Sequence, residues 1–457
     1  MNVMKSHFWC PETHPGMESL SPRLRIVRGE GCYLFDDRGN RLVDASSGLW
    51  SVNVGHNRKE VKDAIVRQLD ELEYSTLFGG GISHPRTEEL SEMLIDMLGP
   101  EGMRRVFFSL GGSDAVETAL KLARAYHLAR GDASRHKIVA RRGSYHGNTR
   151  GALDASGREP LRRPYLPWLG QTVHVSAPYE YRCELPDHPT GCGARLAEEL
   201  DRTIEAEGPS SVAAFIAEPI VGATLGAAVP PPDYWPAVVD VCRKHGVLVI
   251  ADEVMTGFGR TGAWFGVDHW SVRPDILVAG KGASSGYWPL GLTVASGEVF
   301  EPVQQRGFVH GFTYSHSAVG AAVGRTVLRR LREDALVERS RDVGFAIKEG
   351  LRDALVDCLI VGDVRGMGLM IAVELVRDRA TKAPFPRSER VTERVLEAAR
   401  ERELLLYPST GCVDGVDGDL VMIGPSLTIS EEESDTLVER MTDAIESVRA
   451  SAPASAR

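Results

Sequence analysis

The chain has 457 residues, 43% of them hydrophobic, with 53 Lys plus Arg against 63 Asp plus Glu and a formal net charge of −10 at pH 7. That length can bury a large core and divide into two or three domains. The acidic balance, without a cationic stripe, argues against nucleic acid or an anionic membrane as partner, and no stretch reaches the ~18 apolar residues of a membrane span, so the expected ligand is a small molecule.

The opening "MNVMKSHFWCPETHPG" lacks an apolar core of signal-peptide length, from which a cytoplasmic protein is expected. The seven cysteines, at 10, 32, 183, 192, 242, 358 and 412, are odd in number and scattered, as where thiols stay reduced and structural. Cys183, His188 and Cys192 cluster in "YRCELPDHPTGC", but the Cys-x8-Cys spacing is not that of a zinc module and no fourth ligand stands nearby, so no metal is expected.

Near the start, "GCYLFDDRGNRLVDAS" alternates apolar and polar residues around a turn at Asp37 to Asn40, the pattern of a hairpin. From about residue 55 to 325, the short apolar runs "RRVFFSL", "KIVARR", "VAAFIAEPI", "GVLVIADEV" and "DILVAGK" alternate with amphipathic stretches such as "AVETALKLARAYHLA". Such alternation implies an α/β fold with a mainly parallel sheet covered by helices. Past 326 the texture turns to charge-rich helices around the strand-like "GLMIAVELV", and the tail "ASAPASAR" has the composition of a disordered segment. The expected division is residues 1–55 as an N-terminal segment joining the small domain, 56–325 as the large domain and 326–457 as the C-terminal small domain.

Three of the strands end in ionisable groups: Glu218 after "VAAFIA", Asp252 and Glu253 after "VLVIA", and Lys281 after "DILVAG". Parallel neighbours would bring them to one rim of the sheet, where open α/β folds keep their chemistry. "IADE" could also be the acidic box of a nucleotide hydrolase, but the phosphate loop that should accompany it is missing, because Gly280-Lys281 is followed by Gly282 and Asp275 stands where the first glycine belongs. In "FFSLGGSDAVETALKLAR", Gly111, Gly112 and Ser113 open a helix; they either cradle an anion at its N-terminus or simply cap it.

An anion cradle, a lysine and an aspartate at strand ends match the three needs of pyridoxal 5'-phosphate (PLP): an amine for its aldehyde, a carboxylate for its ring nitrogen and a phosphate site. In "FFSLGGSDAVETALKLAR", "SYHGNTRGAL", "AEPI", "VLVIADEVMTGFGRTG", "PDILVAGKGASSGYWPLG" and "HGFTYSHSAVGAAVG", in this order over roughly residues 20 to 445, the chain resembles a class III, fold type I, PLP-dependent aminotransferase of the ω-amino acid or amine:pyruvate branch. The resemblance implies a mainly parallel seven-stranded sheet in a large domain beside a smaller α+β domain. It also implies transfer of an amino group from a primary amine or ω-amino compound to a 2-oxo acid, in a homodimer that shares its active sites.

By the same resemblance Lys281 matches the Schiff-base lysine and Asp252 the partner of the pyridine nitrogen. Gly112 and Ser113 match the phosphate turn, and Thr313 the threonine that reaches the phosphate from the neighbouring subunit. Tyr145 and His146 of "SYHG" and Val254 would flank the ring, and Glu218 would stand beside the pocket. Trp50, Phe78, Gly79, Tyr145 and Tyr407 would shape the substrate pocket. Two stretches depart from the pattern. Tyr407 and Pro408 stand where relatives often carry a carboxylate-binding arginine, followed by an apparent Gly- and Asp-rich insertion, and Gly79 to Gly81 stand where some relatives are aromatic. Both favour a bulky or neutral amine; Arg365 is expected to be structural. A PLP aminomutase, racemase or decarboxylase would use the same lysine and aspartate, and a PLP-binding protein without turnover is the remaining alternative.

Overall fold

The five apolar runs expected as strands are joined by two more in the seven-stranded sheet of the computed structural model, which describes residues 24–99, 102–170, 172–183 and 191–450 together with His7 and Pro11. Most of the N-terminal "MNVMKSHFWCPETHPG", His188 of the cysteine cluster and the tail after Ala450 lie outside the described residues. Across the sheet the order is Met103–Ser109, Gly291–Ser296, Ile276–Ala279, Leu248–Asp252, Val212–Ala217, Lys137–Arg141 and Val173–Val175. Gly291–Ser296 runs antiparallel to both of its neighbours, and the other pairings are parallel.

Val212–Ala217, Leu248–Asp252 and Ile276–Ala279 are buried at every position, which parallel strands covered on both faces require. Their side chains alternate by two. Ala214, Ile216, Ile250, Ile276 and Val278 face Ala115, Val116 and Ala119 of the helix Gly112–Ala129, while Phe215, Val249 and Leu277 belong to the larger core with Trp235 and Val238 of the helix Tyr234–His245. Pairing of Ala217 with Ala251 and of Asp252 with Val278 keeps the carboxyl ends of these three strands level.

A second sheet has the antiparallel order Val361–Met367, Met370–Leu375, Asp419–Ile423, Tyr407–Thr410 and is accompanied by the helices Leu336–Ala354, Val391–Glu401 and Glu431–Ala450. The apparent insertion is the turn of its last hairpin, where Gly411 N–H donates to the Gly418 carbonyl at 2.8 Å and both glycines have positive φ, 80° and 107°. A third sheet joins Ile26–Glu30, Tyr33–Asp36 and Arg41–Asp44 to Leu404–Leu405, which tethers the N-terminal hairpin to the C-terminal part of the chain. Among the described residues no helix is long and apolar enough to cross a membrane.

Candidate active site

Level strand ends bring Glu218, Asp252 and Lys281 to one rim. Gly280 follows the strand Ile276–Ala279 and lies against the start of the helix Gly112–Ala129: a Cβ at 280 would stand 3.4 Å from the Gly112 nitrogen. Gly112 is in turn pressed on Val254, where a Cβ would come within 2.7 Å of Cγ1, so the helix start meets the turn after Asp252 only because position 112 is glycine. Lys281 is half-buried, with a positive φ of 36°. Burial lowers its pKa below the ordinary lysine value, while the carboxylates of Asp252 and Glu218 pull it back up. Among the described residues no hydrogen bond or ion pair holds its ammonium.

Asp252 is 3% exposed; its Oδ2 lies 2.6 Å from His146 Nδ1 and its Oδ1 accepts the Val254 N–H at 3.0 Å. The other His146 ring nitrogen, Nε2, is buried without a partner among the described residues. Glu218 is held from two sides. Arg141, wholly buried at the end of Lys137–Arg141, donates from Nη2 to Oε2 at 2.9 Å, and the Tyr145 N–H donates to Oε1 at 3.1 Å. Burial alone would raise the Glu218 pKa, but the neighbouring charges of His146 and Arg141 outweigh it and hold the group below its ordinary value. A buried acid therefore stays ionised.

The turn after Tyr145 folds over the helix start: Asn148 N–H donates to Ser113 Oγ at 3.2 Å, and Asn148 Nδ2 to the Tyr145 hydroxyl at 3.3 Å. Gly111, Gly112 and Ser113 thus present a helix N-terminus, with its unpaired N–H groups and positive dipole end, to the rim that holds Lys281. Tyr145, His146, Glu218, Asp252, Val254, Gly112, Ser113 and Lys281 are all joined to this rim by the contacts just described.

The remaining residues singled out from sequence have other partners. Trp50 is 2% exposed; its ring meets Tyr407 edge to face with centroids 4.6 Å apart, and it lies on Gly424, where a Cβ would clash at 2.1 Å. Phe78 is 61% exposed and lies beside Gly311, Gly79 is open on its Cβ side, and Thr313 is exposed with its carbonyl accepting the Tyr74 hydroxyl at 2.9 Å. Arg365 is engaged at every guanidinium nitrogen: Nε on the Gly226 carbonyl, Nη1 on Asp363 and Glu374, Nη2 on the Tyr179 hydroxyl and the Leu225 carbonyl. It is a strut between the strand Val361–Met367, its neighbour Met370–Leu375 and the loop at Leu225 and Gly226, a structural role as expected from sequence.

Arg141 and Asn148 were not anticipated. Arg141 had a readable signal, since a cation that closes an apolar strand is the same pattern that marked Lys281. Asn148 had none, because its role depends on the turn that brings it back to Ser113.

A model of the "Aminotransferase class-III" family matches residues 17–445. The chain belongs to the class-III aminotransferases. It is 37% identical to the putrescine–pyruvate aminotransferase of Pseudomonas aeruginosa, over 90% of this chain and 88% of that one. It is also 35% identical to the diaminobutyrate–2-oxoglutarate transaminase of Halomonas elongata, over 94% and 91%. An amine transaminase from an uncultivated Pseudomonas species, crystallised with PLP bound, superposes with a TM-score of 0.92 at 37% identity, over 98% of this aminotransferase and all of that chain. The fold is therefore the fold type I expected from the motifs.

Proposed function

We propose that this aminotransferase uses PLP to move the amino group of a primary amine or ω-amino compound to a 2-oxo acid such as pyruvate, as a homodimer with shared sites. The observation that carries the reading is the rim itself, where a half-buried lysine with no hydrogen bond faces a buried carboxylate and a helix N-terminus. These residues fit PLP: Lys281 its aldehyde, Asp252 its ring nitrogen, Gly112 and Ser113 its phosphate, and Tyr145 and Val254 its two faces, with Thr313 of a second subunit completing the phosphate site. When bound, PLP supplies an electron sink for the bond broken at the substrate carbon. The large domain is assigned to residues 56–325 and the small one to 1–55 with 326–457.

Each side chain then has a task. Lys281 Nζ, its charge disfavoured by burial, would take the proton from the substrate carbon and deliver it two bonds away, a 1,3 shift across the nitrogen. Asp252, oriented by His146 and the Val254 N–H, keeps a proton on the ring nitrogen opposite. Arg141 keeps Glu218 charged and in place beside the pocket. For the acceptor, Tyr407 brings no cation and Arg365 is fully engaged, so the second carboxylate of 2-oxoglutarate lacks the partner it would need when desolvated. The putrescine–pyruvate relative agrees with that choice.

The experiment is a panel of primary amines and ω-amino acids assayed against pyruvate and 2-oxoglutarate. The expected result is stoichiometric carbonyl product, with amines and pyruvate leading in kcat/KM. If glutamate and 2-oxoglutarate exceed every amine and pyruvate, the substrate reading is wrong.

A further inference from the structure

A cavity of about 520 Å³ is lined by neither Lys281 nor Asp252. The hairpin turn that reads as an insertion, residues 410–415, forms one wall, and the segments around Gly143, Gly157 and Leu225 form others. Five arginines reach it: Arg142, Arg158, Arg162, Arg182 and Arg195. Among the described residues only two carboxylates do, Glu159 and Asp414, and both are engaged. Arg163 grips Glu159 Oε1 at 3.0 and 3.2 Å, and Asp414 Oδ1 accepts the N–H groups of Val416 and Asp417 at 2.8 and 2.7 Å.

Acids outside the cavity compensate three of the arginines unequally. Arg142 meets Glu199 at 2.8 Å and Arg182 meets Glu374 at 2.6 Å, but Arg162 is 3.6 Å from Asp154. Arg158 and Arg195 have no carboxylate partner among the described residues. Among the described residues three buried guanidinium nitrogens lack an acceptor: Arg162 Nε, Arg182 Nη2 and Arg195 Nε. Those nitrogens are closed off from the cavity, so what the cavity presents is the remaining guanidinium edges, whose paired N–H groups match two oxygens of an oxyanion. Nothing in transamination at Lys281 uses these groups.

We propose that this cavity is a binding site for a small polyanion, a molecule with more than one phosphate or carboxylate group, held by Arg158, Arg162 and Arg195. The volume is that of a small-metabolite site. Cys183 and Cys192, with Sγ atoms 3.1 Å apart, line the same cavity and so report on its occupancy.

The test is titration calorimetry of the holoenzyme at low salt with inorganic pyrophosphate and with citrate, the active-site phosphate cradle being filled by PLP. Saturable binding of one molecule per chain is expected, weakened about tenfold or more by Arg158→Gln with Arg195→Gln, the loss appropriate to charge-assisted bonds. Preference for pyrophosphate identifies a phosphate-bearing ligand, preference for citrate a carboxylate-bearing one. In the unaltered protein the bound anion should also slow alkylation of Cys183 and Cys192 by N-ethylmaleimide, read by mass spectrometry, so the proposal does not depend on the variant's folding. Absence of binding by both anions up to about 10 mM, near the weak limit of specific recognition, overturns it. So does binding that leaves the alkylation rates unchanged.

Discussion

His146 Nδ1 and Asp252 Oδ2 are 2.6 Å apart, with both side chains buried at the carboxyl end of the central strand. The imidazole fixes the carboxylate's orientation, and the Val254 N–H holds its second oxygen. Replacing the charge while keeping the shape, Asp252→Asn, is therefore expected to leave the fold intact and lower kcat by about 10² or more, the usual loss when a preorganised electrostatic partner is removed. His146→Asn should cost less, since it disturbs orientation and leaves the carboxylate. Steady-state kinetics with circular dichroism checks both, and near-normal turnover in Asp252→Asn would remove Asp252 from its assigned role.

Lys281→Ala is expected to abolish turnover and to leave no borohydride-reducible bond between protein and cofactor. The motivation is its setting at the end of the strand Ile276–Ala279, just after Gly280, which lies against the helix start at Gly112. A reduced covalent adduct still found by mass spectrometry in this variant would transfer the role to another lysine.

Thr313 lies on the surface beside exposed Tyr314 and Tyr74, with exposed Phe78 against Gly311, as a residue that serves a neighbouring subunit should. Mixed dimers give the measurement. Protomers carrying Lys281→Ala, combined with protomers disabled by Thr313→Ala, should recover part of the lost activity after subunit exchange, because some sites then draw both residues from unaltered copies. No recovery, with exchange verified, would mean a site built within one chain.

The rim was readable from sequence because its signal is local: an apolar run that ends in a charged residue, repeated at Glu218, Asp252 and Lys281, needs only parallel pairing to bring them together. Gly291–Ser296 was harder to see. It is short and follows a glycine-rich turn, and its antiparallel placement beside Ile276–Ala279 is completed by pairing with Met103–Ser109, far away in the chain. Trp50 shows a different limit. Its identity was read from a motif, but its burial against Tyr407 and Gly424 depends on segments more than 350 residues distant, which no periodicity records.

Two half-buried histidines predict acid sensitivity. Burial holds His316, packed on Phe107 and Phe108, down at about 4, and burial together with the Arg162 charge holds His174 at about 4. In the unfolded chain both take up protons near pH 6.5. Protons are thus bound by the unfolded state and refused by the folded one between these values, so the stability due to the neutral rings is full above about pH 6.5 and is lost as pH falls toward 4. Each ring contributes up to about 1.4 kcal/mol per pH unit in that interval. Scanning calorimetry should show a smaller fall in melting temperature from about pH 7 to pH 5 for His316→Leu than for the unaltered protein. An equal fall would mean that His316 is already free to protonate in the folded state.

Acceptor choice is tested most directly by restoring the missing cation. Tyr407 meets Trp50 edge to face and stands where the family resemblance leads one to expect an arginine, while Arg365 is engaged with Asp363, Glu374 and three other oxygens. Tyr407→Arg would introduce a guanidinium beside the Trp50 ring, which can accept it through a cation–π contact. A bidentate bond to a carboxylate is worth about 1.5–3 kcal/mol, so kcat/KM for 2-oxoglutarate relative to pyruvate should rise about tenfold or more. The ratio is the right measure because a general loss of activity affects both acceptors and cancels. An unchanged ratio in a folded, active variant would show that position 407 does not face the acceptor's carboxylate, and that the preference is set by another part of the pocket.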